Sequence, residues 1–130
     1  MSHHENRAVL ERMITAMFSG DYEAAVSEMA DDAVEEWPQS GERIVGREAC
    51  LLVYQNYPGG SPKYHLRRIS GEGNHFVVEA VADYAGQTTF STNLVEFRDG
   101  KVVRQTGYWS TPFEAPTWRS GWVERMEIVP

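Results

Sequence analysis

The apolar pattern of this 130-residue chain changes period once, at Pro62, and that change limits the possible folds more than any other feature. Before Pro62 apolar residues recur at spacings of three and four; after it they alternate. Residues 5–18 place Val9, Leu10, Met13, Ile14, Met17 and Phe18 on one helical face. Ser2 with Glu5 forms a capping box at its start, and Gly20 suits its stop. Asp21 is placed to N-cap a second helix over 22–29. Asp31–Asp32 read as turn and cap residues, 33–37 as a short strand stopped by Pro38, and Glu42–Arg43 as a solvated loop pair. A third helix spans 46–56, with Ala49, Cys50, Val53 and Tyr54 roughly in phase, and Pro58–Gly59–Gly60 ends it. Residues 63–71, 75–85, 87–98 and 102–110 then read as four strands, with turns at Asn74, Ala85–Gly86 and Asp99–Gly100. Helices segregated ahead of a strand meander predict an α+β fold: three N-terminal helices lying across a curved antiparallel sheet, as one domain over 1–130.

Charge and composition exclude several functions. The net charge of −7 opposes binding to phosphate backbones, so nucleic acid is not an expected partner. No apolar run approaches the roughly 20 residues that cross a bilayer, and the polar start of the chain lacks a secretory core, so no membrane association and a cytoplasmic location are expected. The lone Cys50 lies on an apolar helical face and reads as a buried structural thiol. There is no phosphate-binding loop, dinucleotide fingerprint, nucleophile elbow or CxxC pair. His3, His4, His65 and His75 lack metal-ligand spacing. No metal and no organic cofactor are therefore expected.

The motifs Gly20–Asp21, Asp31–Asp32–Ala33–Val34, Gly46–Arg47–Glu48–Ala49, Glu96–Phe97–Arg98–Asp99–Gly100 and Pro112–Phe113 to Trp118–Arg119, in this order, carry a resemblance over nearly the whole chain. The chain resembles the nuclear transport factor 2-like superfamily, and its SnoaL-like, polyketide cyclase-like branch in particular. The resemblance implies a cone-shaped, cystatin-like fold with a pocket, and pairing of two copies through the outer sheet face into a homodimer. Compared with ketosteroid isomerase, which resembles this chain most testably, the first-helix Tyr position falls on Met13. The strand-borne base falls on Trp37, and the second Asp on Asn93. Steroid isomerisation by that mechanism is thus not expected, although Asn93 retains a hydrogen-bond donor for a carbonyl or oxyanion. The limonene epoxide hydrolase pattern also fails: Glu79 and Asp83 occur without an Arg on their strand, and the last-strand acid position falls on Gly107.

Strand parity sorts the remaining candidates. Phe76, Val78, Ala80, Ala82 and Tyr84 form the more apolar face of 75–85, and Glu35 shares a face with Trp37. The resemblance adds Ser91, Asn93, Val95, Phe97, Val103, Gln105, Gly107 and Trp109 to the inner set, with Arg104, Thr106 and Tyr108 outside. Strand 63–71 admits two readings, with either Tyr64, Leu66 and Arg68 or His65, Arg67 and Ile69 pointing in. The candidate catalytic residues are Glu35, His65 and Asn93, and the candidate substrate contacts are Trp37, Tyr54, Tyr84, Phe97, Gln105 and Trp109. A small apolar ligand is the expected partner. Two functions remain open: cofactor-free acid–base catalysis on a small cyclic or polyketide-like substrate, and a ligand-binding or dimerisation module without turnover. Glu35 exposed at the mouth would favour the second. The apolar area of Trp118 and Trp122 predicts a C-terminal segment packed over the edge of the cone.

Overall fold

In the computed structural model, which describes residues 3–60 and 62–127, the helices are α1 (His3–Ser19), α2 (Tyr22–Ser27) and α3 (Arg47–Gln55). The strands are β1 (Met29–Trp37), β2 (Glu42–Val45), β3 (Lys63–Glu72), β4 (His75–Tyr84), β5 (Gln87–Arg98) and β6 (Lys101–Ser110). They form one six-stranded sheet in the order β2-β1-β6-β5-β4-β3. Every pairing is antiparallel except β1 with β6, which is parallel. The expected α+β cone is present, with two additions to the sheet: β1 starts at Met29, and β2 takes up the segment read as a loop.

Local chemistry explains the joints. Gly20 adopts φ 83°, and the amides of Gly20 and Asp21 bond back to the carbonyls of Met17 and Ala16, closing α1 with a Schellman motif. Asp21 then accepts a hydrogen bond from the Ala24 amide and starts α2, so one dipeptide ends a helix and begins the next. The capping box proposed at Ser2 lies outside the described residues. Ala85–Gly86 and Asp99–Gly100 all take positive φ and join strands in register at Tyr84↔Gln87 and Arg98↔Lys101, as two-residue hairpins require. Buried Asn6 ties α1 to the β3–β4 turn, donating to the Gly73 carbonyl and the Asn74 side chain at 2.8 and 3.1 Å.

Asp31 and Asp32 are not a turn. Both lie in β1, at the irregularity between Met29 and Val34, where Arg47 holds Asp31 at 2.5 Å and Arg98 holds Asp32 at 2.7 Å. The Arg98 hydrogen bond keeps the Asp32 carboxyl below its ordinary range. The core sits between the concave face of the sheet and the helices. Leu10, Met13, Cys50, Phe76, Val95, Phe97 and Val102 are all buried there. Phe76 and Phe97 meet edge to face with centroids 5.7 Å apart.

Candidate functional site

The helices do not fill the cone. A partly open cavity of about 130 Å³ remains between α1, α3 and the concave sheet. Its helical wall is Leu10, Met13, Ile14 and Met17. Phe18, Tyr22, Tyr57 and Tyr64 add an aromatic collar. On the sheet side, register sets two adjacent rows. Glu35 lies beside Gln105, which pairs with Val95. Trp37 lies beside Gly107, which pairs with Asn93.

Gly107 leaves the room that the second row needs. A Cβ there would stand 2.9 Å from Asn93 Oδ1 and 3.4 Å from Trp37 Cδ1. The indole can therefore lie against the strand and turn its nitrogen toward the first row. Trp37 Nε1 donates to Glu35 Oε2 at 2.9 Å, and the Tyr54 hydroxyl donates to Glu35 Oε1. Tyr54 reaches this point because it and Cys50 occupy successive turns on the buried side of α3.

The electrostatics are unusual for a carboxylate. Glu35 is only 7% exposed, and among the described residues no cation lies against it. Burial raises its pKa above the ordinary glutamate value, while the donors Tyr54 and Trp37 partly oppose that rise. Burial, and then the Glu35 charge, push the Tyr54 phenol well above its usual range, so it stays a donor. The same two causes push the Cys50 thiol up to about 12, which keeps it protonated. The Gln105 amide is buried, lines the cavity and stands beside the Tyr54 hydroxyl. Among the described residues no group of three or more His, Cys, Asp or Glu is placed to hold a metal ion.

The structure brings together Glu35, Asn93, Trp37, Tyr54 and Gln105 from the sequence-derived set. Met13, Trp37 and Asn93, the three positions aligned with ketosteroid isomerase, all line the cavity. Four candidates sit elsewhere. His65 is exposed, on the side of β3 opposite Tyr64, and drops out of any cavity chemistry. β3 satisfies neither simple parity, because a bulge between Leu66 and Arg68 switches the facing residue from Tyr64 to Ile69. Tyr84 stands at the rim, packed on Tyr57, and gives its hydroxyl to the Pro58 carbonyl. Phe97 is core beneath the cavity, not a lining residue. Trp109 does not line the cavity either; it packs edge to face on Trp37 at 5.5 Å, with its backbone held by the Gln39 amide. Sequence reasoning missed Tyr22, Tyr57 and the Phe18 end of α1 as lining groups. Their signal was the aromatic end of each helical apolar face.

The family model of the SnoaL-like domain matches residues 10–105. An NTF-2 like protein of unknown function from Burkholderia xenovorans LB400 is 41% identical, with a TM-score of 0.88 over 95% of this chain and 97% of that one. A proposed ketosteroid isomerase from Kribbella flavida is 27% identical, with a TM-score of 0.88 over 97% of this chain and 93% of that one. A cystatin-like protein from Silicibacter pomeroyi DSS-3 is similar in fold, at 20% identity and a TM-score of 0.66 over 78% of this chain and 73% of that one. No curated protein matches. The chain belongs to the SnoaL-like family of the nuclear transport factor 2-like superfamily.

Proposed function

We propose that the cavity carries out cofactor-free acid–base chemistry on a small, largely apolar molecule bearing an acceptor oxygen. Isomerisation, cyclisation, dehydration and hydrolysis all fall within this class. Glu35 moves the proton, Asn93 and Gln105 donate to the oxygen, and Trp37 with the tyrosine collar shapes the slot. The observation that carries this reading is the buried, cation-free Glu35 carboxyl on the wall of an open apolar cavity. Burying a carboxyl without a counter-charge costs stability, and a purely structural site would favour an apolar side chain there. Raised pKa values of this kind suit a group that exchanges protons near neutral pH.

The cavity volume limits the ligand. Sites for drug-sized molecules run to roughly 300–1,000 Å³, well above the present cavity. With Met13 and Trp37 in place of the Tyr and Asp, steroid isomerisation is not part of the proposal. The same small volume favours a second reading, a ligand-binding module without turnover. A thermal-shift panel of small cyclic ketones, lactones and epoxides, followed by turnover assays on the hits, separates the two. Turnover by the wild type with loss in Glu35→Gln supports catalysis. Hits that bind equally to both proteins and are never converted support the module.

The chain is proposed to act as a homodimer through the outer sheet face, where Leu94 and Tyr108 are exposed beside Thr92 and Thr106. Sedimentation over a concentration series tests this, and a monomer at tens of micromolar contradicts it.

A further inference from the structure

The C-terminal segment after Ser110 contradicts the expectation of packing over the cone. Within one copy, Phe113 is 81% exposed, Trp118 72% and Trp122 83%. Val123 and Met126 are exposed as well. The segment has a defined course, including a 3₁₀ turn over Thr117–Trp122. Trp118 is touched by its neighbour Arg119, whose guanidinium lies 5.7 Å from the ring centroid. The Burkholderia and Kribbella structures match nearly the whole chain, which omission of residues 111–130 would not allow. Most of the segment thus has aligned counterparts in solved relatives, although its own body leaves the aromatic rings uncovered. Singly exposed apolar residues are ordinary, but three large rings within ten residues are a surface that water does not favour.

We propose that residues 111–127 are an exchanged arm, whose Phe113, Trp118 and Trp122 bury against the outer sheet face of a second copy of this chain. This proposal rests on the homodimer proposed above. Three observations select that occupant. The arm leaves from the end of β6, the strand that presents Tyr108 on the outer face next to Leu94 of β5, so it is continuous with the proposed interface. An aromatic carries roughly 150–250 Å² of buriable surface, and these are about four-fifths exposed, so the six rings of two reciprocal arms contribute roughly 700–1,200 Å². Together with the faces that receive them, this meets the roughly 1,600 Å² of a standard interface. The arm carries Glu114, Glu124 and Glu127 against Arg119 and Arg125, so it has no net positive charge to hold it on an anionic lipid surface. In a two-fold dimer each arm meets the face that its own body offers to the partner.

The test is sedimentation velocity on the full chain, comparing wild type, an arm variant (Trp118→Ser with Trp122→Ser) and a face variant (Leu94→Asp with Tyr108→Asp). Circular dichroism establishes that each variant is folded, and Phe113→Ser serves as a second arm variant should the first not fold. The proposal predicts a wild-type dimer, and a rise in the dimer dissociation constant of more than about 30-fold in the arm variant. A face variant that dissociates while the arm variant dimerises like wild type overturns the exchanged arm but leaves the dimer standing. A wild type that stays monomeric at tens of micromolar overturns both. A monomer that co-sediments with phosphatidylcholine–phosphatidylserine vesicles overturns the proposal in favour of a membrane contact.

Discussion

Glu35 and Glu36 are neighbours on β1, and the sheet sends them to opposite faces. The inner carboxyl meets two neutral donors, Tyr54 and Trp37, in a buried pocket. The outer one sits between Arg43 and Arg104, each at 3.1 Å, in a charged row that continues through Glu96 to His75. Burial raises Glu35. Partial burial works in the same direction on Glu36, but the hydrogen bonds and charges of Arg43 and Arg104 outweigh it and hold that group low. One residue type at adjacent positions thus has its proton affinity raised on one face and lowered on the other. Environment sets the role, and strand alternation sets the environment.

The largest expected contrast is in turnover. With a converted substrate, Glu35→Gln lowers kcat by about 10²–10⁴, the usual scale for a lost general acid or base. Glu36→Gln leaves kcat near wild type, because its carboxyl faces away from the cavity. Equal losses in the two variants would erase the comparison. Next in size is Gly107→Ala, which forces a methyl against Asn93 and Trp37 and is expected to cost about 1–3 kcal/mol in denaturant unfolding. An unchanged stability would show that the Trp37 wall yields freely and does not position Glu35.

The pH dependence of stability separates the faces by sign. Glu35 has a folded pKa above its unfolded value of about 4.5, so the folded state holds that proton more tightly. Its contribution is fully present below about 4.5 and is lost as pH rises through the raised folded value. Glu36 behaves oppositely: its contribution is present above about 4.5 and fades as pH falls through its lowered folded value. Melting curves of Glu35→Gln should lose the downward trend above pH 4.5, and those of Glu36→Gln should lose part of the acid-side decline. The smallest effect is expected for Arg104→Ala. That side chain is half exposed, so its ion pairs are screened, and the melting temperature should move less than it does in Gly107→Ala.

The contrast also shows what a sequence reader can and cannot find. The shared face of Glu35 and Trp37 was legible, since alternation needs only the strand itself. So were the two positive-φ hairpins and the Gly20–Asp21 joint, whose chemistry is local. β2 was not legible, because Glu42–Val45 is a four-residue edge strand whose partners Val34–Trp37 come from outside it. The start of β1 was hidden by Asp31 and Asp32, which look like turn residues until Arg47 and Arg98 reach them from distant elements. His65 was misplaced because no local signal announces the bulge that resets β3. Tyr84 belongs to the rim because of the Pro58 carbonyl, a tertiary partner. Trp118 and Trp122 were expected to pack because apolar area favours burial, yet both are exposed.

The fold holds Glu35 as a buried carboxyl with elevated proton affinity on the wall of the cavity. The most direct test is a pH titration of the glutamate side-chain carboxyl carbons by ¹³C NMR, with Glu35→Gln and Glu36→Gln assigning the two resonances. Glu35 is expected to titrate above the ordinary value of about 4.5 and Glu36 below it. A Glu35 resonance that titrates at or below the ordinary glutamate value would contradict it.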